Sequence, residues 1–185
     1  MLARPEGILI TERYSSAFFS ISTVKSKYAT LSKEDATALS YHDSSFDFVY
    51  SYHALEHISD PRSALSEMKR VLKPGGGFWI GTPNSQRLVG YLGSKKASWK
   101  QKLKWNASDW KAKIVGKFKN ELGAHAGFSS KELFSLLTDT FSKTEEVTNN
   151  YYCEIYNNRR TAIEFLIKSK LSSVLFPGIY FTGKR

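Results

Sequence analysis

Residues 53–57, "HALEH", bring two imidazoles and a carboxylate together within a few residues. The spacing H-x-x-E-H is used by one class of zinc peptidases, where two histidines hold the metal and the glutamate activates water. Here the pentad stands between a strand and a helix, with Asp60-Pro61 directly after it, rather than inside a long helix. It is short enough to recur by chance and no partner glutamate stands out, so it is read as carrying no metal. The longer stretch Ser45–Asn84 is more informative. It reads as strand, loop, helix, glycine turn and strand, with Ser51, Tyr52 and His53 clustered just past the first strand. That order suits a nucleotide-like ligand lying across strand ends.

The elements that would position these residues follow from periodicity. "GILITE" (7–12) reads as a short buried strand ended by an acid, and Tyr14, Phe18, Ile21 and Val24 recur at helical spacing. A further short strand is expected before Asp35, and "FDFVY" (46–50) is another. Ser59 or Asp60 can cap the next helix, Pro61 suits its first turn, and Ala64, Leu65, Met68, Val71 and Leu72 form its apolar stripe. Pro74-Gly75 should stop it before the strand "GFWIGT". Farther on, Ser129 and Glu132 form a capping box ahead of Leu133, Leu136 and Leu137. "TEEVTNNYYCEIY" and "GIYFTGKR" are expected as strands, and the Arg159-Arg160 pair with "AIEFLIKSKLSSVLF" (162–176) as a helix whose Ala162, Phe165, Leu166 and Ile167 join the core. Strands alternating with helices predict an α/β domain with a parallel or mixed sheet covered on both faces.

Composition narrows the class. The 185 residues suit one domain; 41% are hydrophobic and 14% aromatic, which argues against disorder. The single cysteine, Cys153, cannot form an intramolecular disulfide, and the opening residues do not make a signal peptide. A cytoplasmic protein is expected, with membrane contact confined to the periphery. The net charge of +10 is concentrated: between Ser94 and Lys119 stand nine lysines and one acid, Asp109, interleaved with Trp99, Trp105 and Trp110. Lysines on phosphates with tryptophans on bases or in a membrane interface is one reading. The preferred one is a partly helical lid, spanning 85–124, whose tryptophans cover the core while its lysines face water. An anionic membrane surface or anionic substrate is the expected partner, and nucleic acid is not.

The block "EDATALSYHDSSFDFVYSYHALEHISDPRSALSEMKRVLKPGGG" resembles the class I S-adenosylmethionine-dependent methyltransferases of the type-11 group. The resemblance carries an Asp-Ala, a Ser-Phe-Asp, a Leu-Glu-His, an Asp-Pro and an Arg-Val-Leu-Lys-Pro-Gly-Gly in order, and continues weakly through "TPN" and "AHAGFSSKEL". It implies a Rossmann-like sheet with S-adenosylmethionine across its strand ends. Glu12 would take the ribose hydroxyls, Asp35 the adenine amino group and the backbone N–H of Ala36 the ring. Leu39 would pack on the purine, with Ser51 and Tyr52 bordering the methionine part. His53 and His125 are the candidate catalytic bases. The plainer readings are a solvated acid for Glu12, a turn cap for Asp35, core for Tyr52 and a structural hydrogen bond for His125.

The resemblance also implies a first strand and a glycine-rich turn that this sequence lacks. Gly75–Gly77 follow a helix and precede a strand, the wrong order for that turn. One partial domain over 1–185, incomplete at its N-terminus, is therefore expected, with weak donor binding by the isolated chain. A start upstream of Met1 is the preferred account; a degenerate relative, or a second chain completing the sheet, are the others. The expected reaction is methyl transfer to a small-molecule or lipid-like acceptor. The alternative is a non-catalytic methyltransferase-like subunit that binds an anionic partner through the Trp/Lys segment.

Overall fold

A computed structural model describes residues 34–91, 96–120 and 126–185. Four strands form one mixed sheet: β1 (Phe46–Tyr52), β2 (Leu72–Pro83), β3 (Lys143–Glu146) and β4 (Gly178–Lys184), in the spatial order β1-β2-β4-β3. β1 and β2 run parallel, joined by helix α1 (Pro61–Val71), whereas β4 is antiparallel to both of its neighbours. The carboxyl ends of β1, β2 and β3 therefore point the same way, beside the start of β4. Helices α2 (Trp99–Ile114), α3 (Ser130–Thr140), α4 (Thr148–Ile155), α5 (Arg160–Lys168) and α6 (Ser172–Leu175) complete the described fold.

One sheet face builds the main core. Val49, Phe78, Ile80, Ile179 and Phe181 meet Ala64, Leu65, Met68 and Val71 of α1 and Leu133, Leu136 and Leu137 of α3. The α1 start is as read: Asp60 accepts from the Ser63 N–H at 3.1 Å and Pro61 takes the first position. The helix ends at Val71, earlier than Pro74-Gly75, because Leu72 already pairs with Phe46 and the strand has begun. The other face is aromatic. Tyr50 stacks on Trp79 with centroids 5.0 Å apart, Trp79 on Tyr180 at 5.2 Å, and Tyr180 on Tyr151 at 3.8 Å. Such pairs add to the area they bury.

Three expectations need correction. The strand predicted through "TEEVTNNYYCEIY" stops at Glu146, and α4 follows. Tyr151, Tyr152, Ile155 and Tyr156 fall on helical spacing, and Tyr152 is buried against Phe176 and Tyr180. The helix foreseen after Arg160 exists as α5, yet Ala162 and Phe165 face solvent and only Ile163, Leu166 and Ile167 pack. The tryptophans of the lysine-rich segment do not cover the core: Trp99, Trp105 and Trp110 are all exposed. The predicted elements before Glu34 lie outside the described residues.

Candidate functional site

Ala36 and Leu39, from one turn, and Ser51, from β1, line one small hollow together with Val49, Leu55 and Met68. Its volume of about 10 Å³ is room for one water. Asp35 opens the turn that carries Ala36 and Leu39: its carboxylate accepts from the Thr37 N–H at 3.0 Å and the Thr37 hydroxyl at 2.8 Å. The turn is fastened to α1, since Glu67 accepts from the Leu39 N–H at 2.8 Å and Arg70 donates to the Leu39 carbonyl at 3.0 Å. Glu67 lies below the usual carboxylate range because Arg70 hydrogen-bonds it. Leu39 itself is buried in the main core.

At the carboxyl tip of β1, Ser51 is buried and Tyr52 half-exposed. His53 turns the chain at a φ of +50°, in the left-handed region that a non-glycine residue rarely adopts. Its N–H donates to the Gly81 carbonyl at 2.8 Å, and its ring stands 4.3 Å from that of Tyr52. Strain of this kind concentrates at functional sites. Beneath His53 is a residue noted in the sequence only within motifs, with no role of its own. Glu56 is buried; one carboxylate oxygen accepts from the Thr82 hydroxyl at 3.2 Å. The other has no hydrogen-bond partner and stands 3.7 Å from Nδ1 of His53 and 3.9 Å from Nε2 of His57. Burial pushes the carboxyl up to about 7, against the opposing pull of hydrogen bonds and of the Arg87 charge. It can therefore hold or release a proton near neutrality. Among the described residues no group of three or more His, Cys, Asp or Glu side chains is arranged to hold a metal.

A second, larger cavity of about 320 Å³ opens at the carboxyl ends of β2 and β3. Gln86, Ser130, Glu146, Asn149 and Ser172 give it a polar lining, over Phe176 and Ile179. Asn84, beside it, donates to the Ser173 and Phe176 carbonyls at 2.7 and 3.1 Å. From there the chain enters a buried network that sequence reading missed. Arg87 donates to the Asn84 and Ala126 carbonyls and pairs with Asp109 of α2 at 3.1 Å. The 126–128 segment docks on the end of β2 through Gly127, whose φ is +78° and where a Cβ would lie 1.8 Å from the Pro83 carbonyl oxygen. Glu12 and His125 lie outside the described residues.

The structure thus brings Asp35, Ala36, Leu39, Ser51, Tyr52 and His53 to one end of a mixed α/β sheet of Rossmann-like character, and comparison with known proteins shows what the chain resembles. Residues 14–80 match the family described as "Methyltransferase domain". A demethylmenaquinone methyltransferase of Renibacterium salmoninarum is 52% identical over 42 residues, which is 23% of this chain and 18% of the relative. A ubiquinone biosynthesis O-methyltransferase of Parvibaculum lavamentivorans is 31% identical over 125 residues, covering 63% of this chain and 48% of the relative. The chain thus spans less than half the length of these two curated relatives. A solved SAM-dependent methyltransferase from Methanosarcina mazei aligns over 83% of this chain and 66% of its own, with 21% identity and a TM-score of 0.47. Over residues 14–80 the chain is thus similar to the methyltransferase domain family, and the two curated relatives it matches are methyltransferases.

Proposed function

We propose that the chain binds S-adenosylmethionine at the carboxyl tip of β1 and serves methyl transfer to a small or amphiphilic acceptor. The observation that carries this reading is the convergence of Ala36, Leu39 and Ser51 on one hollow next to Tyr52 and His53. The residues fit the donor's chemistry: Asp35 is an acceptor for an amino group, the Ala36 N–H a donor to a ring nitrogen, and Leu39 with Ala36 an apolar contact. The hollow is too small to enclose an adenine, so the donor would lie across its rim. When bound, the donor supplies a methyl group on a positively charged sulfur, which needs alignment more than activation. Tyr52 and His53 would orient the methyl-bearing end and exclude water. A proton released by the acceptor would pass to His53, with Glu56 steadying the imidazole.

The acceptor is assigned to the cavity beyond Asn84, whose hydroxyls, amides and Glu146 carboxylate suit an oxygen- or nitrogen-bearing group. The chain from Gln86 onward would border it, since Gln86 lines the cavity and Arg87 pairs with Asp109 of α2. The related menaquinone and ubiquinone enzymes suggest quinone-like acceptors, whereas the polar lining favours a more hydrophilic reacting group.

Calorimetric titration with S-adenosylhomocysteine tests the donor site. Asp35→Ala should weaken binding about tenfold or more through loss of a charged hydrogen bond. Equal affinity in wild type and variant would remove the donor from this site.

A further inference from the structure

Helix α2 presents its apolar side chains to solvent. Trp99, Leu103, Trp110 and Ile114 follow one another at intervals of four, seven and four residues, which places them within a sector of about 60° on the helix. They are 70%, 53%, 41% and 85% exposed. The helix is held instead by polar ties along the side next to this sector. Asp109 accepts from Arg87 and from the Tyr91 hydroxyl, Asn106 exchanges hydrogen bonds with Gly90, and Lys113 donates to the Arg87 carbonyl. Trp110, at the border, donates its Nε1–H to the Leu88 carbonyl at 2.6 Å and leaves the ring outward.

Lys100, Lys104 and Lys111 lie together beyond one edge of the apolar sector and are exposed. Among the described residues they have no acidic partner, because the helix's only acid, Asp109, faces Arg87 and Tyr91. Lys96, Lys117 and Lys119 extend the exposed charge past both helix ends.

We propose that α2 is a membrane-surface helix. The stripe Trp99–Leu103–Trp110–Ile114 enters the boundary between headgroups and acyl chains of an anionic bilayer, and the adjacent lysines meet lipid phosphates. Tryptophan suits this boundary because its ring is apolar and its N–H is polar. Apolar area and electrostatic attraction to anionic lipid then act together. Nucleic acid explains the lysines but not Leu103 and Ile114, which offer nothing for bases to stack on. A second copy of the chain would bring like charges together, and lysine is depleted at protein interfaces.

The test is flotation of the full chain with vesicles of phosphatidylcholine alone or with about one-third phosphatidylglycerol, together with tryptophan emission. The anionic vesicles should bind the protein and shift its emission to the blue. Raising salt from about 0.1 to 0.5 M should release much of it. Ile114→Asp, and separately Leu103→Asp, should reduce partitioning about tenfold or more, because each places a charge in the apolar sector. Both positions face solvent, so circular dichroism and melting temperature should stay at wild-type values; Lys131→Glu on α3 serves as the surface control. Indifference to anionic vesicles overturns the proposal, as does undiminished binding by both aspartate variants. Tighter binding to an oligonucleotide than to vesicles would make the surface a nucleic-acid site. A dimer dispersed by Ile114→Asp would make it a protein interface.

Discussion

Helices α1 and α2 are attached to the same domain by opposite means. α1 buries Ala64, Leu65, Met68 and Val71 against the sheet, whereas α2 buries only Asn106 and hangs from hydrogen bonds and the Arg87–Asp109 pair. Apolar burial needs a continuous stripe and therefore fixes which way a helix faces. A polar attachment needs only a few well-placed partners, so the apolar residues of α2 are left to face outward. The first helix positions the Leu39 turn, where the donor is proposed to bind, through Glu67 and Arg70. The second presents a surface.

The contrast can be broken most severely at Leu65, which is fully buried. Leu65→Ala should cost about 4 kcal/mol, from lost transfer energy and the cavity left behind. A single cooperative loss of the sheet and both helices in denaturant melts would confirm that α1 belongs to the global core; a loss under about 1 kcal/mol would not be that of a packed core leucine.

Glu56 comes next. Its carboxyl sits at about 7 in the folded chain against an ordinary 4.5. Between those values the native state holds a proton that the unfolded chain releases. The associated stability is therefore full below about pH 4.5, falls as pH rises to about 7 and is flat above, with a span of up to about 3 kcal/mol. Glu56→Gln should be more stable than wild type at pH 8 and equal to it near pH 4.5. Parallel stability curves for the two proteins would mean that Glu56 is not a buried carboxyl.

The smallest effect is expected at α2. Asp109→Ala removes one ionic partner of the buried Arg87, which keeps its bonds to the Asn84 and Ala126 carbonyls. It should cost about 2 kcal/mol, less than a fully enclosed pair because Asp109 is partly exposed. The loss should be local: hydrogen exchange should accelerate about 30-fold over 99–114, with the amides of β1 and β2 unchanged. Acceleration spread evenly over the sheet would mean that α2 is part of the core after all.

The same contrast explains what could be read from the chain. α1 was legible because its cap, its proline and its stripe all lie within Asp60–Leu72. Ala36, Leu39 and Ser51 were singled out in the sequence through the family block alone, and the structure places them around one hollow. The outward face of α2 was not legible, because its direction is set by Arg87 and Tyr91, earlier in the chain. Glu56 looks like any solvated acid in sequence; its burial under Thr82 comes from a residue 26 positions on. The tyrosines of α4 suit a strand as well as a helix, and their packing on Phe176 and Tyr180 decided between them.

The claim beneath all of this is that the methyl donor meets the chain at the turn 35–39 and the tip of β1. Ultraviolet cross-linking of labelled S-adenosylmethionine, followed by peptide mapping, reads that contact directly. The label should appear between residues 34 and 57 and disappear with excess S-adenosylhomocysteine. Label confined to the α3–α4 region, or label that competitor does not displace, would contradict the account.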